Sequence, residues 1–388
     1  MTFLSLRRLA LGDLDDEMLR GLIGHGEDLF VERKRELPDS PKFGAAVSSF
    51  ANTLGGWLLL GVDDDGTLHG YPTSDRLDLQ TSLAERLRKE TDPLPPFVAG
   101  AHELEGKQIV VLRVFESADS PHIVKGDGCV YVRTTKGKEP VDDHRTLLEL
   151  ARRGDEAGRH ARERLNNLPL ATQAVGAPVN LAYWLKGHRA RDQDVYSVLA
   201  LAAPLTVTPQ FADWPISRRA ADWLRSATER MLPDTAAAFH APETRVEPEA
   251  RGVVVTRLIQ HPRTRFDRDE AVLVADSGGV VAGRLRRGKS GREVLALEAL
   301  RMEDFEPLVA ALADALKEAE AYGRSVWHVF VLLPDDVSVM DQRRAPESVT
   351  HIGGELTVPA DDEEVATLAR RLMREYARGA GFAAWEGS

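Results

Sequence analysis

The chain has 388 residues, with 50 Lys and Arg against 61 Asp and Glu and a formal net charge of −11 at pH 7. That length exceeds what one hydrophobic core usually fills, so two domains are expected. The acidic balance argues against a protein that coats nucleic acid non-specifically, because backbone binding rests on cation density, and any polyanion must meet a local basic patch.

A single cysteine, Cys129, excludes an intramolecular disulfide and a thiolate metal cage. No run approaches the roughly 20 apolar residues that a membrane span needs, and the first residues lack the order of a secretory signal. No membrane partner and a cytoplasmic location are therefore expected.

Asp13 to Leu22 mixes acidic and apolar residues at helical spacing, and Gly24 and Gly26 end it. Glu27 to Lys34 alternates in a way that favours a short strand. Ser40-Pro41 opens a helix carrying Phe43, Val47 and Phe50 on one stripe, and Gly55-Gly56 supplies its stop. Trp57 to Val62 is apolar on both faces, as a central strand is, and Asp65-Gly66 turns it into Thr67 to Gly70. A helix over Arg76 to Lys89 follows, then strands at Ala99 to Leu104, Gln108 to Phe115 and Cys129 to Thr134, and a closing helix at Val141 to Arg153.

Residues 154–180 lack clear periodicity and read as an inter-domain connection. Residues 181–388 read as a second α/β domain of unassigned role. Its expected strands are Val195 to Ala202, Gly252 to Ile259, Ala271 to Ala275, Val280 to Leu285, Glu293 to Leu297 and Val326 to Leu333. Helices are expected over Ser217 to Met231 and Glu303 to Tyr322, and Asp361 with Glu364 forms a capping box for the last one.

The chemistry-bearing residues gather in the first 150. Glu27 and Glu32 lie five positions apart, and Asp64 follows the central strand. If the segment at 27–34 pairs beside Trp57 to Val62, the three carboxylates meet in one pocket. Oxygen donors of that kind suit Mg²⁺ or Mn²⁺, which activates water and offsets charge on a phosphodiester. Spacing alone equally allows Glu27 as a helix cap, Glu32 paired with Lys34 or Arg33, and Asp63 to Asp65 as a solvated turn. Lys34, two positions after Glu32, shares its strand face and is placed to meet phosphate. Lys125, Arg133, Lys136 and Lys138 form a basic strip around Tyr131, although residues 1–150 hold 18 Lys and Arg against 26 Asp and Glu.

These motifs in this order, Gly26-Glu27 with Glu32 and Lys34, Phe50 to Thr53 with Gly55-Gly56, Gly61 to Asp64, and Tyr131 to Arg133, resemble the Schlafen AlbA domain over roughly residues 12–150. Leu54 departs from the glycine frequent at its position. The resemblance implies a mixed sheet with flanking helices over residues 1–153 and a nucleic-acid partner, RNA favoured over DNA. In Schlafen proteins that cleave structured RNA, three acids hold the metal, and they map onto Glu27, Glu32 and Asp64. The expectation is thus a metal-dependent endoribonuclease, against a non-catalytic DNA- or RNA-binding regulator whose C-terminal domain senses a partner. A homodimer would supply the second lobe that eukaryotic relatives carry.

Gly283 to Ser290 satisfies the letters of a phosphate-binding P-loop, but Gly291-Arg292-Glu293 leads into a strand-like run instead of a helix, so a hairpin is expected and ATP binding is the weakest alternative.

Overall fold

A computed structural model describes residues 6, 9–72, 79–166, 169–170, 179–180, 195–233, 242–249, 252–260, 268–287, 294–295, 301–332, 338–339, 350–358 and 360–379. The chain is a mixed α/β protein with two compact units, Met1–Gly158 with Thr208–Gln210, and Arg159–Val207 with Phe211–Ser388.

In the first unit, helix α1 (Asp16–His25) begins at Asp15, whose Oδ1 accepts from Met18 N at 2.8 Å, and it ends where Gly26 takes φ +85°. Strand β1 (Val31–Lys34) precedes α2 (Lys42–Ala51), and β2 (Gly56–Leu60) follows it. Next come α3 (Leu79–Glu90), the short β3 (Thr91–Asp92), β4 (Phe97–Leu104) and β5 (Lys107–Val114). The short β6 (Ile123–Val124), the hairpin of β7 (Tyr131–Thr134) and β8 (Gly137–Pro140), and the part of α4 (His144–Asn166) up to Gly158 complete it. The start of the helix expected from Arg76 lies outside the described residues.

The sheet order is β1-β2-β5-β4, with β1 parallel to β2 and the other pairs antiparallel. Alternation along β2 assigns its side chains to two cores. Trp57 and Leu59 pack with Leu19, Leu22 and Ile23 of α1, while Leu58 and Leu60 pack with Phe43, Val47 and Phe50 of α2 and Leu83 and Leu87 of α3. A helix–sheet–helix sandwich results, and β1 forms one edge of its sheet. The predicted strand from Thr67 to Gly70 reduces to one bridge between Val62 and Leu68.

The helix expected to close at Arg153 continues to Asn166, through the first part of the expected connection. Gly158, Ala161 and Leu165 are buried at helical spacing, so Gly154 and Gly158 lie inside the helix and do not interrupt it.

The second unit is a seven-stranded antiparallel sheet. Its order is Glu243–Glu249, Gly252–Gln260, Arg268–Asp276, Gly279–Arg287, Val195–Pro204, Gly323–Leu332 and Thr350–Val358. Helices Arg218–Met231, Glu306–Glu318 and Asp362–Gly379 share one core with it, through Leu224, Leu312 and Leu372 among others. The predicted capping box forms in full: Glu364 N donates to Asp361 Oδ1 at 2.8 Å, and Asp361 N donates to Glu364 Oε2 at 3.1 Å.

Within the P-loop lookalike, Gly283 to Arg287 is strand, and Gly288 to Ser290 lie outside the described residues. The hairpin expected after it does not form among the described residues, because Val294–Leu295 pairs in parallel with Ser338–Val339. No helix among the described residues is long and apolar enough to cross a membrane.

Candidate nucleic-acid interface

The turn before β1 is built by Asp28, a residue that spacing alone does not single out. Its Oδ1 accepts from Phe30 N at 2.7 Å and Val31 N at 2.9 Å, and its Oδ2 meets His25 Nε2 at 2.9 Å. These bonds fix the chain between α1 and β1. Since β1 is an edge strand, one of its amides needs a partner other than β2, and Glu27 Oε1 accepts from Arg33 N at 3.0 Å.

Glu32 points from β1 toward α2 and is only 4% exposed. Three cations surround its carboxylate. Arg133 Nη1 donates to Oε2 at 2.5 Å, while Lys34 Nζ and Lys138 Nζ lie 3.4 and 3.6 Å from Oε1. Burial alone would raise its pKa, but Lys138, Arg133 and Lys34 outweigh that and hold it below the usual carboxylate value.

Arg133 is itself buried and turned to internal partners. Its Nη2 donates to Asp28 O at 2.5 Å, and its guanidinium lies 4.3 Å from the centre of the Phe50 ring.

The Phe50 to Thr53 motif explains how Arg133 is placed. Asn52 Nδ2 donates to Tyr131 O at 2.9 Å and to His122 O at 3.1 Å, and its Oδ1 accepts from His122 N at 2.8 Å. Thr53 Oγ1 accepts from Arg133 N at 2.8 Å. The two adjacent side chains at the end of α2 therefore grip β7. Gly56 permits this, because a Cβ there would fall 2.2 Å from Phe50 Cδ1. The paired glycines thus do more than stop a helix.

The hairpin of β7 and β8 turns at Thr134 to Gly137, where Gly137 has φ +105° and Lys136 N donates to Thr134 Oγ1 at 3.1 Å. Together with Glu27, Asp28, Glu32 and Lys34, the residues Arg133, Thr135, Lys136, Gly137 and Lys138 line an open cavity of about 440 Å³. Among the described residues, four cations and three carboxylates face it, so a domain acidic as a whole presents a local cation excess. Lys136 is exposed at its rim.

The third expected acid does not line this cavity. In the turn after β2, Asp63 pairs with His69 at 3.0 Å and Asp65 Oδ1 accepts from Thr67 N at 2.8 Å. Asp64 is exposed, does not line the cavity, and lends its carbonyl oxygen to Arg33 Nη2. Its charge still reaches Lys34, whose pKa burial would lower but Glu32, Glu27 and Asp64 together raise.

Among the described residues, no three carboxylate, histidine or cysteine side chains are grouped so as to share a metal ion. Glu27 Oε1 pairs with Lys34, and both oxygens of Glu32 are taken by Arg133, Lys34 and Lys138, so the side chains as they stand do not fit a bound Mg²⁺ or Mn²⁺. Lys125 lies outside the cavity, donating to Arg88 O at 2.8 Å. Arg133, expected to steer phosphate, is instead the internal partner of Glu32. Tyr131, whose OH donates to Asp127 Oδ2 at 2.8 Å, has its pKa pushed up to about 12 by that bond.

No curated protein matches the chain. Among solved structures, the DIP2311 protein from Corynebacterium diphtheriae is similar at 19% identity over 38% of this chain, with a TM-score of 0.27, and this chain covers 33% of that one. The N-terminal domain of a RecG-related protein from Nitrosomonas europaea is similar at 25% identity over 32% of this chain and 94% of that one, with a TM-score of 0.25. At those scores the likeness says nothing about activity. Residues 27–142, the span holding Glu32, Arg133 and the motifs that place them, match the family model described as Schlafen, AlbA_2.

Proposed function

We propose that the first unit is a nucleic-acid-binding module that holds the phosphodiester backbone at the mouth of the cavity between β1 and the β7–β8 hairpin. One observation carries the reading. Lys136 and Lys138 stand on a two-stranded hairpin over a cavity whose buried carboxylate, Glu32, is already neutralised by Arg133. Phosphate arriving there meets Lys136 and Lys138 without facing an unpaired buried anion. The match of residues 27–142 to the Schlafen AlbA_2 model supports the same partner class.

Cleavage of RNA by a metal held between Glu27, Glu32 and Asp64 has no geometric support here, so binding without chemistry is the reading favoured. Fluorescence anisotropy with a structured RNA and a duplex DNA of equal length tests it on wild type and Lys136→Ala/Lys138→Ala. Weaker binding by the variant supports the proposal, and the two ligands show which nucleic acid is preferred. Unchanged affinity, or no binding of either ligand by the wild type, rejects it.

A further inference from the structure

Lys34 occupies the place a divalent ion would need. Its ammonium carries three protons, and three oxygens surround it: Arg33 O at 2.7 Å, Glu27 Oε1 at 3.0 Å and Glu32 Oε1 at 3.4 Å. Strand alternation fixes this arrangement, because Glu32 and Lys34 are two positions apart on one face of β1, and Glu27 reaches back along the same edge to bond Arg33 N.

The charge is balanced from both sides. Glu32 directs its other oxygen to Arg133, and Lys138 adds a further positive charge at 3.6 Å. Mg²⁺ would need oxygens at about 2.0–2.1 Å in near-octahedral order, and it would have to evict the Lys34 ammonium to obtain them. Here the carboxylates already enclose a cation, and that cation is covalently attached to the strand.

We infer that Lys34 is the resident counter-ion of Glu27 and Glu32 and that it keeps divalent cations out, so that this site meets nucleic acid without a metal. The inference deepens the nucleic-acid reading of the same site, but its test uses no nucleic acid, so either can fail alone. It also makes the nearby acids a latent metal site, opened by removing one amine. No bond is made or broken in this proposal; the exchange is one cation for another.

The experiment is isothermal titration of Mn²⁺ into the full chain as wild type, Lys34→Met and Lys34→Met/Glu32→Gln. The expected result is no saturable heat from wild type below about 1 mM Mn²⁺ and at least about tenfold tighter binding by Lys34→Met. The double variant then loses that gain. Wild-type binding as tight as that of Lys34→Met overturns the inference. So does a Lys34→Met protein that binds no Mn²⁺ while its thermal unfolding curve matches wild type. Should Lys34→Met not fold, Lys34→Gln takes its place. The wild-type arm stands by itself, because saturable Mn²⁺ binding abolished by Glu32→Gln would also overturn the inference.

Discussion

Replacing Arg133 with methionine removes the guanidinium and keeps much of the side-chain volume, so it isolates the charge that balances Glu32. The two side chains are 3% and 5% exposed and meet at 2.5 Å, which places the pair among those whose disruption costs about 3–5 kcal/mol. Two features set the expected value near the lower end. Lys34 and Lys138 remain 3.4 and 3.6 Å from the other Glu32 oxygen, and methionine can still pack on Phe50. Against that, Asp28 O loses its Arg133 donor.

A loss of about 3 kcal/mol follows for Arg133→Met, read by urea unfolding at pH 7. Glu32→Gln/Arg133→Met should recover at least about 1.5 kcal/mol of it, since the stranded charge is gone. The cost of the single variant should also shrink as pH falls. Without Arg133, burial has less to oppose it and the Glu32 carboxyl protonates more readily. A loss below about 1 kcal/mol, or a double variant as unstable as the sum of its singles, would refute the electrostatic account of this site.

Two other changes probe the frame that places Arg133. Asn52→Ala removes three hydrogen bonds and leaves the buried His122 N–H without its acceptor, for a predicted loss of about 2–3 kcal/mol by the same urea assay; a loss under about 0.5 kcal/mol would show the clamp on β7 to be dispensable. His122 is fully buried, and burial lowers its pKa to about 4, so the fold holds it neutral while the unfolded chain protonates near 6.5. Stability should therefore be unaffected by this group above pH 6.5 and fall by roughly 3 kcal/mol between pH 6.5 and 4. His122→Gln should flatten that part of the pH profile, and equal slopes in the two proteins would contradict the assignment.

What the sequence revealed, and what it hid, follows from the range of each interaction. Glu32 and Lys34 share a face because strands alternate, and the Asp361–Glu364 box is local, so both were legible from spacing. The partner of Glu32 was not, since Arg133 lies 101 positions away and only the fold unites them. Asn52 and Thr53 read as a helix end because their hydrogen bonds run 70 to 80 positions forward to His122, Tyr131 and Arg133.

Two long strands that the pattern did not predict, Glu243–Glu249 and Thr350–Val358, are the two edges of the second sheet. The first alternates charge and contains Pro248, and the second contains Gly353-Gly354. Edge strands tolerate both, and such patterns mimic loops. Gly283 to Arg287, the first five positions of the P-loop lookalike, lies in a strand that the apolar run from Val280 to Leu285 already indicated.

The central claim, a cation-rimmed cavity that holds nucleic acid without a metal, is tested most directly by the salt dependence of binding in EDTA. Anisotropy titrations of the wild type with duplex DNA should give saturable binding in the chelator. Lys136→Ala/Lys138→Ala should flatten the slope of log affinity against log salt by about 0.9 for each phosphate that the variant no longer neutralises. Binding that vanishes in EDTA and returns with Mn²⁺, or a slope identical in the two proteins, would contradict it.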